Sequence, residues 1–214
     1  MTIAQHLLTP SSDQTPVTVE IPTKQLSGAL WVSKFPTSTR IDEMSSAFAK
    51  SVVSFISALK AAGASVEVSA TVRPAKRAFL MHWAWKIVNA EADPLTIPER
   101  KGVNIQWGHL NERGDYCREK SVAAATAMVN GYGMRNLRIA PALTSRHIEG
   151  KAIDMTINWA GTLSIRDAKG RTVNISTEPK TGMNADLHAV GATYMVIKFK
   201  GGDKDKPHWS TDGR

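Results

Sequence analysis

The sequence is poor in the residues that staple many small proteins together. It contains one cysteine, Cys117, in 214 residues. No intramolecular disulfide can form, and no thiolate zinc cluster can be built. Cys117 heads an apolar-periodic stretch that runs to Val129, so it reads as a small core residue. Nothing beside it in sequence suggests a catalytic thiol. Long hydrophobic runs are also missing. No stretch of about 18 apolar residues occurs, which argues against a transmembrane helix. The opening MTIAQHLLTPSSDQTP has neither a basic leader nor a continuous apolar segment, so no signal peptide is expected. Internal repeats and low-complexity tracts are absent. Acidic charge is in deficit: 27 Lys and Arg stand against 19 Asp and Glu, a formal net charge of +8.

What is present describes a folded chain. Hydrophobic residues make up 42% of it and charged residues 21%, enough for one sizeable core and against global disorder. A basic chain is drawn to anionic surfaces, whether nucleic acid or a bacterial envelope. The cations are scattered, and even the densest run, Lys198, Lys200, Lys204 and Lys206, is interrupted by Asp203 and Asp205. No RNA-recognition motif or Cys/His finger is visible, so no specific nucleic-acid partner is expected. Most of these charges read as a solvated surface.

Residues 1–25 are rich in Ser, Thr, Pro and Gln and read as an extended arm, leaving 26–214 as a single domain. Residues 27–33 suggest a first strand. Ile41, Met44, Phe48, Val52, Phe55, Ile56 and Leu59 recur at spacings of three and four, which predicts a long helix ending near Gly63. Ser65 to Val72 alternates as a strand does. Pro74 then suits the first turn of a helix over 75–89, with Phe79, Leu80, Trp83 and Ile87 on its buried side. Residues 91–116, rich in Pro, Gly and charge, predict a long loop, a frequent place for function. A helix over 118–130 follows, stopped by Gly131 and Gly133. Beyond Thr144 the pattern turns to strands: 152–159, a hairpin about Ala168-Lys169-Gly170, and 193–200 after a short helix at 183–190. Helices first and antiparallel strands later make an α+β class.

Two segments carry chemistry. In Ser145-Arg146-His147-Ile148-Glu149-Gly150-Lys151-Ala152-Ile153-Asp154, a His in a loop precedes an Asp on a strand. Gly150 can turn the chain between them, small Ala152 leaves room beside the strand, and Ser145 can fix the loop. Asp154 sits among Ile153, Met155 and Ile157, where an unpartnered carboxylate is costly, so it needs a metal or a base. In Asp205-Lys206-Pro207-His208-Trp209, an acid and a His flank a rigid proline. Two His and one carboxylate suit a catalytic zinc with an open position for water, and a further carboxylate can serve as base. Either segment alone is a weak signal.

Together they resemble the zinc D-alanyl-D-alanine carboxypeptidase and L-alanyl-D-glutamate endopeptidase family, whose pattern is Ser-x-His-x-x-Gly-x-Ala-x-Asp followed by acid-x-x-His, often with Trp. Ser145, His147, Gly150, Ala152 and Asp154 fill the first part; Asp205, His208 and Trp209 fill the second. The resemblance extends less sharply back to about residue 65 and covers neither the arm nor the 91–116 loop. It implies a hedgehog/DD-peptidase fold, with a central antiparallel sheet and helices packed against it. It implies one zinc ion on His147, Asp154 and His208, with Asp205 as acid/base. Arg73, at a strand end before a helix, fits an Arg that holds the scissile carbonyl oxygen. Trp209 is expected to pack beside His208 or line the cleft, packing being favoured. His6, His82, His109 and His188 read as ordinary, as do Trp83 and Trp85 as core residues; Trp107 stands near His109 in the long loop.

The implied activity is hydrolysis of a peptidoglycan stem peptide, by removal of a terminal D-Ala or cleavage after L-Ala. A non-catalytic zinc-containing wall-binding module is the alternative, against which an intact Asp205 speaks. Without a signal peptide, the expected setting is synthesis in the cytoplasm and action on the wall or periplasm. Release of a phage lysis enzyme through a holin or delivery of an antibacterial effector would achieve that, and a cytoplasmic dipeptidase is a third option. No membrane insertion is expected, and a monomer is the default.

Overall fold

A computed structural model describes residues 23–214. Most of the predicted arm, residues 1–22, lies outside the described residues. In chain order the elements are β1 (Gln25–Leu26), α1 (Ser46–Ala61), β2 (Ser65–Ala70), α2 (Ala75–Asn89), β3 (Ile105–Gln106), β4 (His109–Leu110), β5 (Tyr116–Cys117), α3 (Arg118–Gly131), β6 (Ala152–Asn158), β7 (Leu163–Arg166), β8 (Thr172–Ile175), α4 (Ala185–Thr193), β9 (Ile197–Lys198) and β10 (His208–Ser210). The α+β class stands. No helix is long and apolar enough to cross a membrane among the described residues.

The central sheet has the order β2-β6-β10-β9, antiparallel throughout. Along β6, every second residue, Ile153, Met155 and Ile157, is buried. That face packs on Phe48, Val52, Phe55, Ile56 and Leu59 of α1, on Leu163, Ile165 and Ile175 of the hairpin, and on Leu187 and Val190 of α4. These residues recur along α1 at spacings of three and four, so the helix turns one continuous stripe to the sheet. Asn184 caps α4, its side chain accepting from the Asp186 and Leu187 amides. Asp167 closes the β7–β8 turn by accepting from the Lys169 and Arg171 amides at 2.9 Å each.

A second core is built from the chain between β2 and β6 together with the segment before α1. Phe79, Leu80, Ala84, Trp85 and Ile87 of α2 pack with Ala125, Met128 and Val129 of α3, and with Trp31, Val103, Ile105, Trp107 and Met134. The part of this lobe between β2 and β6 leaves the sheet at the end of β2 and returns before His147, so both of those connections pass the ligand-rich end of the sheet.

Several expectations need correction. Residues 27–33 form no strand. Gly28 has φ 141°, a 3-10 turn follows at Ala29–Trp31, and Trp31 is buried in the helical core with its indole N–H donating to the Leu26 carbonyl at 3.0 Å. The strand pairing falls earlier, on β1, which pairs in parallel with β3 and so orders the last residue of the predicted arm. The first helix starts at Ser46, after a separate 3-10 turn at Ile41–Glu43. The strand at 193–200 shrinks to β9, because α4 runs on to Thr193 and Met195 takes φ 62°. The 91–116 loop contributes β3, which pairs with β1, and β4, which pairs with β5 at the loop's end. Cys117 is only partly buried, and its thiol donates to Glu119 at 3.3 Å.

Candidate metal centre

Strand register brings the two sequence segments together. Asp154 on β6 faces His208 on β10 directly, and on its other side faces Ala70 of β2, next to a shift in the β2 register between Val68 and Ala70. His147 arrives from the loop that returns from the helical lobe. The Ser145 hydroxyl accepts from the Ile148 amide at 3.3 Å, and the Ser145 carbonyl accepts from the Glu149 amide at 3.1 Å. Gly150 ends this turn at φ 66°, in the left-handed region. A Cβ there would stand 3.0 Å from the Ser45 amide nitrogen and 3.3 Å from the Met44 Cα, so shape as well as dihedral requires glycine.

Both histidines are oriented by carbonyl oxygens. Nδ1 of buried His147 donates to the Thr71 carbonyl at 2.6 Å. Thr71 is fully buried and itself pinned: its amide donates to the Ser38 carbonyl and its hydroxyl to the Arg40 carbonyl. Nε2 of buried His208 donates to the Arg214 carbonyl at 3.0 Å. A carbonyl only accepts, so each of these ring nitrogens carries the proton. The opposite nitrogens, Nε2 of His147 and Nδ1 of His208, are therefore lone-pair donors in the neutral rings. They lie 3.1 Å apart, and 3.2 and 3.1 Å respectively from Oδ1 of Asp154. Three electron-rich atoms turned to one point repel unless a cation joins them. The group can hold a metal ion. A ring N–H tied to a carbonyl is also the usual support of a metal-binding imidazole.

The electrostatics agree. Burial works to raise the Asp154 carboxyl, but without a metal the hydrogen bonds and charges that His147 and His208 supply when protonated outweigh it and hold the group far below the ordinary carboxylate range. His208 shows the converse. Burial pulls it down, while Asp154, the Arg214 carbonyl and the Asp205 charge raise it above the ordinary imidazole value. In the metal-free protein the centre thus attracts a proton, as a site built for a cation does.

A cavity of about 470 Å³ opens on this group, lined among others by Arg73, Ser145, His147, Asp154, Asp205 and His208. Asp205 sits on a 3-10 turn, about half exposed, with Oδ2 3.9 Å from Nδ1 of His208. Burial first, and then the Asp154 charge, raise its carboxyl above the ordinary value. Arg73 follows β2, and its amide donates to the His147 carbonyl at 3.2 Å. All five residues expected in the metal and catalytic roles therefore share one cleft. Trp209 points the other way. It is fully buried in the first core, 5.5 Å from the rings of Phe55 and His188. His188 Nε2 donates to the Gly182 carbonyl at 3.0 Å, and His82 Nδ1 donates to the Pro141 carbonyl at 2.8 Å. His109 pairs with Ser27 at 2.9 Å.

Four supports were missed. Arg146 lies between Ser145 and His147 and holds Glu149 at 2.6 Å and Asp212, tying the His147 loop to the segment after β10. Thr71 and Arg214 act through backbone carbonyls, which no side-chain motif announces. Lys198 is 5% exposed, and its inward position in the alternation of Val196 and Lys198 was the available signal. Compared with known proteins, the chain matches no family model, no curated protein and no solved structure.

Proposed function

We propose that the chain is a zinc-dependent peptidase that hydrolyses an amide bond of the peptidoglycan stem peptide, on a fold of the hedgehog/DD-peptidase type. The observation that carries the metal is the convergence of His147 Nε2, Asp154 Oδ1 and His208 Nδ1 with both ring N–H groups tied back to carbonyls. Zinc bonds of about 2.0–2.1 Å place tetrahedral ligand atoms about 3.3 Å apart. The three separations here, 3.1 to 3.2 Å, suit one face of such a tetrahedron. The donor set of two imidazoles and one carboxylate leaves a position open, as catalytic zinc requires.

Bound zinc supplies Lewis acidity: it makes a water nucleophilic near neutral pH and polarises an amide carbonyl. The protein supplies the rest. Asp205 accepts the proton of the attacking water and returns it to the nitrogen of the leaving amine, so the proton count closes. Its raised pKa brings it nearer the working range of a proton carrier. Arg73 offers positive charge to the carbonyl oxygen as negative charge grows there. Ser145 holds the turn that presents His147. The stem peptide and the two candidate bonds rest on the motif resemblance, as does the setting of a lysis enzyme or delivered effector. The +8 charge suits a partner in the anionic envelope.

The test is digestion of purified sacculi and soluble muropeptides by zinc-loaded protein, read by mass spectrometry beside Asp205→Asn. Released D-Ala makes it a carboxypeptidase; stems cut after L-Ala make it an endopeptidase. No product, or equal cutting by the variant, rejects the mechanism and favours a wall-binding module.

A further inference from the structure

Lys198 is a buried cation that the mechanism above does not use. It stands on β9 directly across from Trp209 of β10, with its ammonium 5.2 Å from that indole. Its Nζ donates to the His208 carbonyl at 3.1 Å and to the Lys206 carbonyl. These two carbonyls flank Pro207, which has no N–H to give. The Pro207 carbonyl between them is taken by the Met155 amide at 2.8 Å, and the His208 carbonyl also accepts from the Phe199 amide at 3.1 Å. Three consecutive carbonyls are thus drawn inward by donors, and the side chains of Asp205 and His208 line the cleft. A lysine is rarely this buried unless its charge is used. Here burial pulls its pKa down to about 8 against the opposing negative charges of Asp205 and Asp154, and the side chain is buried beside the Trp209 ring, a place compatible with the stem of a methionine.

We propose that Lys198 is a positioning residue: it grips the segment from Asp205 to His208 from behind and thereby holds the Asp205 carboxylate against the metal group. Its effect on turnover rests on the peptidase reading; its hold on the segment does not. Lys198→Met keeps the stem and removes the donor and the charge. The first readout is amide hydrogen exchange at Met155 and Phe199, the two amides bonded to the gripped segment. Both should exchange about tenfold faster, while amides of α3 and of the β7–β8 hairpin keep their rates. The second is kinetic, on zinc-loaded enzyme of matched metal content: kcat should fall about tenfold or more with KM little changed, as expected when the acid/base is misplaced. Unchanged exchange at Met155 and Phe199 overturns the proposal. So does faster exchange spread evenly over the protein, or a wild-type kcat. If Lys198→Met does not fold, Lys198→Gln, which keeps one shorter donor, takes its place under the same criteria. Local loosening in a protein that cleaves no peptide would reject the peptidase and leave the grip standing.

Discussion

The two cores are built from different materials and stand in different relations to the site. The sheet core contains every strand that carries a ligand, and its elements follow simple periodicities. The helical core gathers Trp31, Trp85 and Trp107 from scattered turns around α2 and α3 and contributes none of the five residues assigned to metal and catalysis. It joins the centre near Arg73, at the loop before His147 and through the segment from Trp31 to α1, whose Ser38 and Arg40 carbonyls hold Thr71. Chemistry and bulk are thus divided: the sheet and its loops present the candidate ligand atoms, and no residue of the helical core lines the cleft.

The sharpest way to break this division is at the ligands. His208→Ala should abolish metal binding, measured by metal analysis after dialysis, and with it all peptidase activity. Retained stoichiometric metal would mean that another group holds the ion. Asp205→Asn should keep the metal and lose about 10²–10⁴-fold in kcat, the usual scale of a general acid/base.

Matched truncations in the two cores compare them directly. Leu59 and Leu80 are both fully buried, one in each core. Each Leu→Ala should cost about 2–5 kcal/mol in denaturant unfolding. Only Leu59→Ala, under the sheet, should also weaken metal affinity. Equal weakening by Leu80→Ala would show that the lobe carries the centre after all. Gly150→Ala forces a side chain into a left-handed position and against the backbone of Met44 and Ser45. About 1–3 kcal/mol of stability should be lost, with a fall in metal affinity because the His147 turn shifts.

The smallest effect is in pH. Asp154 has a depressed pKa, so its contribution is present above its ordinary value of 3.8 and fades as pH falls through the lower folded value. His208 has a raised pKa, so its contribution is complete below its ordinary 6.5 and fades as pH rises through the higher folded value. Metal-free protein should therefore gain most from this pair between those two ordinary values, and Asp154→Asn should flatten the profile of melting temperature against pH. Metal-loaded protein should instead hold its stability at higher pH, since a ligand imidazole must be neutral.

Much of this was legible beforehand, and the reasons are local. The α1 stripe, the alternation of β6 and the Asp167–Arg171 turn each state their structure within a few residues. The α2 boundaries followed from Pro74 and the apolar spacing. The grouping of His147, Asp154 and His208 came from the motif resemblance, with the cost of an unpartnered Asp154 in an apolar strand as its physical support, and the fold brings the three within reach of one ion. What stayed hidden depends on distant contacts. Two-residue strands such as β1 and β3 have no periodicity to read, and Trp31 left the expected strand because a pocket among α2 and α3 residues takes its ring. The orienting carbonyls of Thr71 and Arg214 belong to the backbone, so the residue types there say nothing of their role.

The facing of His208 and Asp154 has a consequence for how the protein is assembled. A strand slipped by one residue presents its other face. If β10 slid by one position on β6, His208 would turn into the core and Trp209 out into the cleft. The same alignment that seals the indole against Phe55 completes the ligand triangle. An ion that binds only the finished triangle would therefore inspect the pairing of the sheet, and a misaligned chain would be left both without a closed triangle and with a core tryptophan in water.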